Sequence, residues 1–430
     1  MDAAIKSQSA AIHSPFCSSI IALLGPEHVR PASPADAVSG VRPKLVVDPG
    51  TEKELAEVLR LSNEAGLAVI PRGGGTKLRW GNPPSRADLI LSTARLDEII
   101  EHAWADLTVT VQAGCTIQRL QETLAQHGQR LALDPLWPEK TTVGGVLSTN
   151  DSGGLRLRFG ALRDLIIGVT IALPDGTLAS SGGKVVKNVA GYDLPKLVTG
   201  ALGTLGVITR AVFRLHPLPR NTVSLSIPTP HVDETQRFVH AVQDSKLAHA
   251  ALQSRFSGET QPISDILFEG TEVGIDAQET QLRNLSGLAS PSKTPASVWT
   301  ARQDLWGFSD PESAAIAKVS ILPANLARMI GLFERTANGS QLRWRVLVYA
   351  TGIGWLRLQG AIEGLHRALS VLRRELEGQG GSLVLLYRPE KMPEFDAWGS
   401  AGDSLPLQRA VKQRLDPKST LNPGRFVGGI

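Results

Sequence analysis

The sequence predicts an α+β protein with two main domains, and three observations lead to this prediction. The chain has 430 residues, which is long for a single hydrophobic core. Thirteen glycines lie between Leu133 and Thr209, a density that strands and helices do not favour. After a shift in composition near Pro217–Arg220, strand and helix patterns alternate as in a two-layer domain with a mostly antiparallel sheet. We therefore expect a leader at 1–35, a glycine-rich domain at 36–219, a second α+β domain at 220–390, and a C-terminal segment at 391–430 that packs back on the first domain.

The bulk composition is that of a soluble globular protein. Apolar residues make up 42% of the chain and charged residues 20%. The formal net charge of +4 is small for this length and gives no support for nucleic-acid binding, which needs clustered Lys and Arg. No apolar run approaches the ~20 residues that span a bilayer, and the run at 19–24 is too short for a signal-peptide core. These features predict a cytoplasmic protein without a transmembrane segment.

Cysteine and histidine usage gives no metal centre. Cys17 and Cys115 are the two cysteines of the chain, too few for a four-cysteine iron–sulfur site or a disulfide framework. We interpret them as buried free thiols. The nine histidines show no ligand spacing, so no metal site is predicted.

The first half of the chain begins with a strand at 44–47. Thr51 and Glu54 then have the spacing of a capping box, with Leu55, Val58 and Leu59 forming an apolar stripe, so a helix follows and ends at Gly66. A short buried strand at 67–70 runs directly into the first glycine cluster. Further strands are predicted at 107–111, 165–173 and 205–215, and a helix between Thr116 and Gly128.

The second half alternates between strands and helices. Strands are predicted at 222–227, 266–269, 315–322, 344–350, 355–358 and 383–387. Helices are predicted at 232–243, 278–285, 325–333 and 363–376, and a last helix follows Ser404. The alternation suggests that this domain holds two related βαβ units.

The glycine cluster of Pro71-Arg72-Gly73-Gly74-Gly75-Thr76-Lys77 predicts a phosphate-binding turn of an unusual kind. A Walker loop needs lysine and then a hydroxyl residue, and Thr76-Lys77 reverses that order. A Rossmann fingerprint needs a further glycine and a helix directly afterwards, but Leu78 takes the glycine's position and Pro83 and Pro84 forbid the helix. The remaining possibility is a nest of successive amides that binds a diphosphate. A flexible surface loop is the alternative, and the second glycine cluster downstream argues against it.

Several segments resemble FAD-linked oxidases of the vanillyl-alcohol-oxidase/PCMH fold. They are the cluster at Pro71–Thr76, the stretches Asp134-Pro135, Thr142–Gly145, Asn150 with Gly153-Gly154 and Arg158–Gly160, Lys187-Asn188 with Gly191–Leu194, Gly203–Thr209, and Asn422-Pro423-Gly424-Arg425 near the C-terminus. Within that family the chain looks most like the FAD-binding E subunits of glycolate oxidase complexes. The resemblance implies a PCMH-type FAD-binding domain made of two α+β subdomains, and a ferredoxin-like α+β cap domain with an antiparallel sheet.

The resemblance also implies which residues hold FAD, mostly through main-chain groups. Around the diphosphate these are Pro71, Arg72, Gly73, Gly74, Gly75, Thr76 and Lys77. Along the flavin and ribityl side they are Pro135, Thr142, Val143, Gly144, Gly145, Asp151, Ser152, Gly153 and Gly154. At the closing segment they are Gly206, Val207 and Ile208.

Two departures from the family pattern bear on function. The first glycine loop contains no histidine that could tether flavin, and Cys115 does not match the family's cysteine tether, so we expect non-covalent FAD. The stretch Ala350–Trp355 occupies the place of a histidine-rich metal motif and contains no His, Asp or Glu. A cation for a substrate carboxylate could be Arg343, Arg345 or Arg357, while no catalytic base is identified.

The resemblance implies a subunit that takes part in oxidising glycolate, or a similar 2-hydroxy acid such as D-lactate, to the 2-oxo acid. Its expected partners are a catalytic flavoprotein subunit and an iron–sulfur subunit, in the cytoplasm or at the periphery of the inner membrane. Two alternatives stay open at this point. One is a flavin-binding subunit that serves assembly without catalysis, and the other is a free-standing FAD-dependent oxidase.

Overall fold

The computed structural model describes residues 15–183, 191–286 and 290–430. Strands are numbered in chain order: β1 Val29–Pro31, β2 Leu45–Val47, β3 Val69–Arg72, β4 Leu89–Ser92, β5 Ile99–Ala103, β6 Thr108–Gln112, β7 Gln129–Arg130, β8 Ile166–Ala172, β9 Leu178–Gly182, β10 Val207–Arg214, β11 His216–Pro217, β12 Asn221–Pro228, β13 His249–Ser257, β14 Ile263–Gly270, β15 Ser292–Thr294, β16 Ala314–Ser320, β17 Arg343–Tyr349, β18 Ile353–Gln359 and β19 Ser382–Tyr387.

The α-helices are numbered in the same way: α1 Pro15–Leu24, α2 Glu52–Glu64, α3 Ile117–Ala125, α4 Val143–Thr149, α5 Arg156–Phe159, α6 Leu162–Leu165, α7 Leu194–Val198, α8 Val232–Asp244, α9 Glu272–Ser286, α10 Ala301–Asp304, α11 Leu326–Gly339, α12 Ile362–Glu377 and α13 Leu405–Leu415. In the part of the chain that the structure describes, no helix is long and apolar enough to cross a membrane.

The chain divides into two compact units. Unit 1 comprises the described residues within Met1–Ser152, Ala161–Pro217 and Ala401–Ile430, and unit 2 those within Gly153–Gly160 and Leu218–Ser400. The C-terminal helix α13 thus groups with the glycine-rich half of the chain, as does the segment after it.

The first sheet of unit 1 is small and mostly parallel, with the order β1-β2-β4-β3. Helix α2 connects β2 to β3, and the Thr51 hydroxyl caps it by accepting a bond from the Glu54 amide at 3.1 Å. Leu55, Val58 and Leu59, the apolar stripe predicted from the sequence, are fully buried. The strand β3 ends at Arg72, so the glycine cluster begins where the strand stops.

The sequence predicts a loosely held leader with one short helix at 1–35. The structure has that helix as α1, and from residue 15 onward the segment is packed rather than loose. Cys17, Ile20 and Leu24 recur at helical spacing on α1 and are buried in the same core cluster as α2. Strand β1 then pairs antiparallel with β2. Residues 1–14 lie outside the described part of the chain.

The second sheet of unit 1 is antiparallel, with the order β5-β6-β10-β8-β9. Strands β6, β8 and β10 were predicted, and β10 lies at the centre of the sheet. Strand β5 was not predicted because it is an edge strand whose middle residues, Ile100, Glu101 and His102, are exposed or half-buried and give no alternation. The short helix α4 follows Thr142, which caps it.

Unit 2 consists of two consecutive ferredoxin-like βαββαβ modules that share one sheet. The first module runs β12-α8-β13-β14-α9-β15 and the second β16-α11-β17-β18-α12-β19. The sheet order is β15-β12-β14-β13-β17-β18-β16-β19, and antiparallel pairing of β13 with β17 joins the modules. The predicted antiparallel α+β fold with two related units is confirmed.

Strand β13 was missed by the sequence analysis although it is central. Its residues Gln253, Ser254 and Arg255 break the apolar alternation. Several of their donors are paired with the neighbouring strand: Gln253 Nε2 and Arg255 Nε donate to the buried carboxylate of Asp265 at 3.0 and 2.8 Å. A buried strand with its own polar network has no periodic signature in the sequence.

The core of unit 2 lies between its sheet and the long helices. We expect Phe333→Ala, on α11 and fully buried, to lower the free energy of unfolding by about 3–5 kcal/mol because it leaves a cavity. Urea unfolding followed by tryptophan fluorescence measures the change.

The matched control is Leu322→Ala, because Leu322 is 64% exposed and its truncation should change stability by less than about 0.5 kcal/mol. Equal effects of the two substitutions would contradict this packing.

Candidate cofactor site

A cleft in unit 1 brings several of the glycine segments together. The residues that line it come from the first glycine turn, helix α4, the start of β10 and the C-terminal segment. They are Pro71, Arg72, Gly73, Gly74, Gly75, Thr76, Lys77, Leu78, Thr93, Thr142, Gly144, Gly145, Ser148, Thr149, Leu202, Gly203, Gly206, Val207, Ile208, Asn422 and Arg425.

The first glycine turn is packed so closely that it has no space for side chains. A Cβ atom on Gly73 would lie 2.1 Å from the Thr142 hydroxyl oxygen, and one on Gly74 would lie 1.8 Å from the Lys140 carbonyl oxygen. Gly75 has a φ of +72°, a conformation that favours glycine. At Gly73 and Gly74 the first turn is therefore in direct contact with the Thr142 side chain, at the start of the predicted Thr142–Gly145 segment, and with the Lys140 backbone just before it.

The main-chain amides of the first turn are available to a ligand. Within the described residues, the amides of Gly73, Gly74, Gly75 and Thr76 donate no hydrogen bond to another residue. Gly73 and Thr76 are half-buried, and Gly74 and Gly75 are exposed at the wall of the cleft. A run of four such donors suits an anionic group such as a diphosphate. The first turn therefore fits a cofactor that contains a diphosphate, such as FAD.

The charged side chains of the first turn, Arg72 and Lys77, are paired with other side chains of the protein. Arg72 Nη1 donates to Asp36 Oδ1 at 2.7 Å. Asp36 is buried and also accepts bonds from Arg30 and Ser33. The Arg30 guanidinium, then Arg72 and Ser33, hold the pKa of Asp36 well below its ordinary value. The turn is thus tied through a carboxylate that stays ionised.

Lys77 points inward in the same way. Its ammonium group donates to Thr141 Oγ1 at 2.8 Å and lies 3.3 Å from Asp151 Oδ2. Asp151 is buried and also accepts a bond from the Leu136 amide at 2.9 Å. The lysine and the aspartate, both predicted to contact the cofactor, form an ion pair that fixes the first turn to the segment directly after α4.

The structure places the remaining predicted residues in different positions. Gly206, Val207 and Ile208 line the cleft at the start of β10. Val143 points into the core of unit 1, and Pro135 and Ser152 are buried outside the lining.

Gly153 and Gly154 belong to unit 2, where a Cβ on Gly154 would lie 3.1 Å from the Ala251 side chain. Lys187 and Asn188 lie outside the described residues. The cofactor roles of these residues stay predictions.

Sequence reasoning assigned no cofactor role to two residues of the lining that come from the C-terminal segment. Asn422 and Arg425 are both almost fully buried. The signal in the sequence that could have indicated them is the Asn-Pro-Gly-Arg motif. It resembles the family's C-terminal motif, but the resemblance does not give it a role in the site.

The thiol of Cys115 lies in the core of unit 1 and is not part of the lining of the cleft. Burial raises the pKa of this thiol to about 11. The thiol is therefore protonated at neutral pH and is a poor nucleophile.

Comparisons with known proteins agree with this geometry. Residues 43–182 match the FAD binding domain family. Over 413 residues the chain is 35% identical to D-lactate dehydrogenase of Archaeoglobus fulgidus, covering 89% of this chain and 91% of that protein. It is 34% identical over 422 residues to glycolate oxidase subunit GlcD of Bacillus subtilis, covering 89% of each.

Among solved structures, p-cresol methylhydroxylase with substrate bound superposes with a TM-score of 0.78 at 15% identity, covering 95% of this chain and 96% of that one. Alkyldihydroxyacetonephosphate synthase superposes with a TM-score of 0.75 at 18% identity, covering 96% and 86%. At this level of identity the likeness establishes the fold.

The fold and the cleft define an FAD-dependent oxidoreductase with a PCMH-type domain. The chain belongs to the family of FAD-linked oxidoreductases that includes the D-lactate dehydrogenase and the glycolate oxidase subunit named above. The groups that would hold FAD are the amides of the first turn, the walls formed by Thr142, Gly144 and Gly145, and the start of β10.

We expect Gly74→Ala to abolish FAD binding, because its Cβ would lie 1.8 Å from a main-chain oxygen and would force the two turns apart. The flavin content of the purified variant, read from its visible spectrum, measures the effect.

Gly183→Ala is the matched control in the same unit, because a Cβ there meets no atom within 4 Å. A Gly74→Ala variant that retains the flavin content of the parent would contradict the close approach of the two turns.

We also expect the flavin to be dissociable, because no histidine is present in the first turn and the Cys115 thiol is buried away from the cleft. Acid precipitation should leave the yellow chromophore in the supernatant of both the parent and a Cys115→Ser variant. Colour that stays with the parent pellet and is released by the variant would indicate a covalent bond instead.

Proposed function

We propose that this chain is the FAD-binding subunit of a complex that oxidises a small 2-hydroxy acid, such as glycolate or D-lactate, to the 2-oxo acid. The observation that carries the proposal is the cleft walled by side-chain-poor turns with four available amides. The similarity to a D-lactate dehydrogenase and a glycolate oxidase subunit over nine-tenths of the chain supports the substrate class. When bound, FAD supplies the two-electron acceptor that this oxidation requires.

Unit 2 offers a cation for the substrate carboxylate. Arg357 lies on the sheet face opposite the long helices, directly across from Arg345 on the neighbouring strand, with Arg343 two residues further along. Like charges that face each other on adjacent strands are unfavourable. Burial, followed by the charges of Arg345 and Arg343, lowers the pKa of Arg357. An anion bound at this place would relieve the repulsion.

The surroundings of Arg357 leave it well oriented for such a role. Its guanidinium donates to Gln359 Oε1 at 2.7 Å and to the Gly307 carbonyl at 3.3 Å, and it lies 5.5 Å from the centre of the Phe308 ring. Both hydrogen-bond partners are neutral, so they hold the side chain without cancelling its charge. A planar guanidinium fixed in this way suits two-point recognition of a carboxylate.

The electrons would leave through partner proteins. The two cysteines of the chain are both buried and are too few to ligate an iron–sulfur cluster. The partners implied are a catalytic flavoprotein subunit and an iron–sulfur subunit, and their assembly would place the complex in the cytoplasm or at the inner face of the membrane.

A second function, a flavin-binding subunit without chemistry of its own, is favoured by one specific observation. The turn and strand at Ala350–Trp355 carry no acidic or histidine side chain that could take the proton of the substrate hydroxyl. In that case the flavin would relay electrons or stabilise the assembly.

The experiment is an anaerobic titration of the FAD-loaded chain with glycolate and with D-lactate, followed by absorbance near the flavin maximum. We expect one of the two acids to bleach the flavin, and an added dye acceptor to restore the colour. Bound flavin that responds to neither acid would favour the second function, and a chain that retains no flavin would contradict both.

Arg357→Gln should require at least about tenfold more acid for half-maximal bleaching, since a hydrogen bond to a charged group contributes ~1.5–3 kcal/mol. Arg374→Gln is the control, because its side chain is 74% exposed on α12. An Arg357→Gln titration that overlays the control would exclude Arg357 from substrate binding.

A further inference from the structure

The segment after helix α13 joins the first sheet of unit 1 beside the first glycine turn. The Val69 amide donates to the Thr420 carbonyl at 2.7 Å, and the Asn422 amide donates to the Val69 carbonyl at 3.0 Å. Leu421 thereby forms a parallel bridge with Val69, at the start of the edge strand β3. The C-terminal segment extends the strand that leads into the turn.

A buried ion pair holds this segment in place. Lys412 Nζ contacts Asp416 Oδ2 at 2.6 Å and donates to the Thr204 and Leu421 carbonyls at 2.8 and 3.0 Å. Asp416 accepts the amides of Thr420 and Leu421 at 2.9 and 2.8 Å. One lysine thus links α13, the loop before β10 and the C-terminal segment.

Asn422 contacts the loop that forms one wall of the cleft. Its Nδ2 donates to the Leu202 carbonyl at 2.5 Å, and the next residue of that loop, Gly203, lines the cleft. Asn422 has a φ of +45°, a left-handed conformation that asparagine tolerates better than most residues. Asparagine therefore suits this position in two ways: its side chain makes the bond to Leu202, and its backbone tolerates the positive φ.

Arg425 contacts the chain directly after the first glycine turn. Its Nη2 donates to the Leu78 carbonyl at 2.5 Å and to the Trp80 carbonyl at 2.7 Å. The Asn82 amide returns a bond to the Arg425 carbonyl at 3.0 Å. Arg425 is 3% exposed and lines the cleft. Burial lowers its pKa to about 10, so it still carries a positive charge at neutral pH.

We propose that Asn422 and Arg425 are positioning residues for FAD, which hold the two glycine-rich walls of the cleft at the separation that the cofactor needs. Asn422 fixes the Leu202–Gly203 wall, and Arg425 fixes the exit of the Gly73–Lys77 turn. The positive charge of Arg425 at the lining adds attraction for the diphosphate. The inference concerns cofactor retention and does not depend on which acid is the substrate.

The experiment measures FAD affinity of the full-length apoprotein by quenching of FAD fluorescence. We expect Arg425→Met to weaken binding by about 100-fold, because it removes the charge and leaves two carbonyls unpaired. Arg425→Lys, which keeps the charge and part of the donor set, should recover most of that loss. Asn422→Gly keeps the left-handed backbone and loses the side-chain bond, and we expect about a tenfold loss.

A second readout separates positioning from general stability. Trypsin can cleave after Lys77 and Arg79, next to the turn that Arg425 holds. In the Arg425→Met apoprotein, cleavage at these two sites should accelerate selectively, as followed by mass spectrometry. Arg409→Met is the matched control, because Arg409 also bonds a main-chain carbonyl of the C-terminal segment, that of Gly428, outside the cleft.

The control should bind FAD within about twofold of the parent, as is usual for an exposed side chain. If Arg425→Met fails to fold, Asn422→Gly decides the question. Parent-like FAD affinity of Asn422→Gly, and of Arg425→Met where it folds, would overturn the proposal, and so would a loss accompanied by cleavage throughout the chain.

Discussion

The organisation of unit 1 depends on the close contact between the backbone at Gly73–Gly74 and the backbone at Lys140–Thr142. At these positions the two turns approach so closely that even a methyl group has no space. Backbone atoms consequently form much of this end of the cleft, and the charged side chains of Arg72 and Lys77 are paired with buried carboxylates. The arrangement replaces side-chain charges by oriented amides, which cost little conformational entropy because the surrounding elements hold them.

Unit 2 is built differently: two βαββαβ modules contribute their strands to a single sheet. Its helix-side face carries a continuous apolar core, whereas the other face carries buried charged groups such as Asp265 and Arg357, and Arg302 of α10 packs against that face. Arg302 stacks 4.9 Å from the centre of the Trp355 ring. The buried charges on this face need partners to offset their desolvation, and Asp265 has one in Arg255 at 2.8 Å.

The sequence predicted those parts of the structure whose signal is local. The capping residue Thr51 and the stripe of Leu55, Val58 and Leu59 placed helix α2 within one residue at its start. The position of the first turn could be predicted because a backbone that packs this closely requires glycine, and the run of three glycines is visible in the sequence. Family resemblance, rather than periodicity, supplied the PCMH-type architecture.

Other parts could not be found in this way because they depend on distant contacts. Strand β13 is central yet polar, and its Gln253 and Arg255 are explained only by Asp265 on the neighbouring strand. Asp151 has the position of a cofactor residue in the sequence motif, but its carboxylate pairs with Lys77. Asn422 and Arg425 enter the cleft from more than 200 positions away from the loops they contact, a relation that no window of sequence contains.

The bonds from Arg425 to Leu78 and Trp80 join residues separated by 347 and 345 positions. Such a distant closure comes late in folding, because the intervening chain must first become ordered. On the ribosome it cannot form until residue 425 has emerged from the exit tunnel, long after both glycine turns have been synthesised. A nascent chain in which residue 425 is still inside the tunnel therefore lacks the contacts that fix the exit of the first glycine turn.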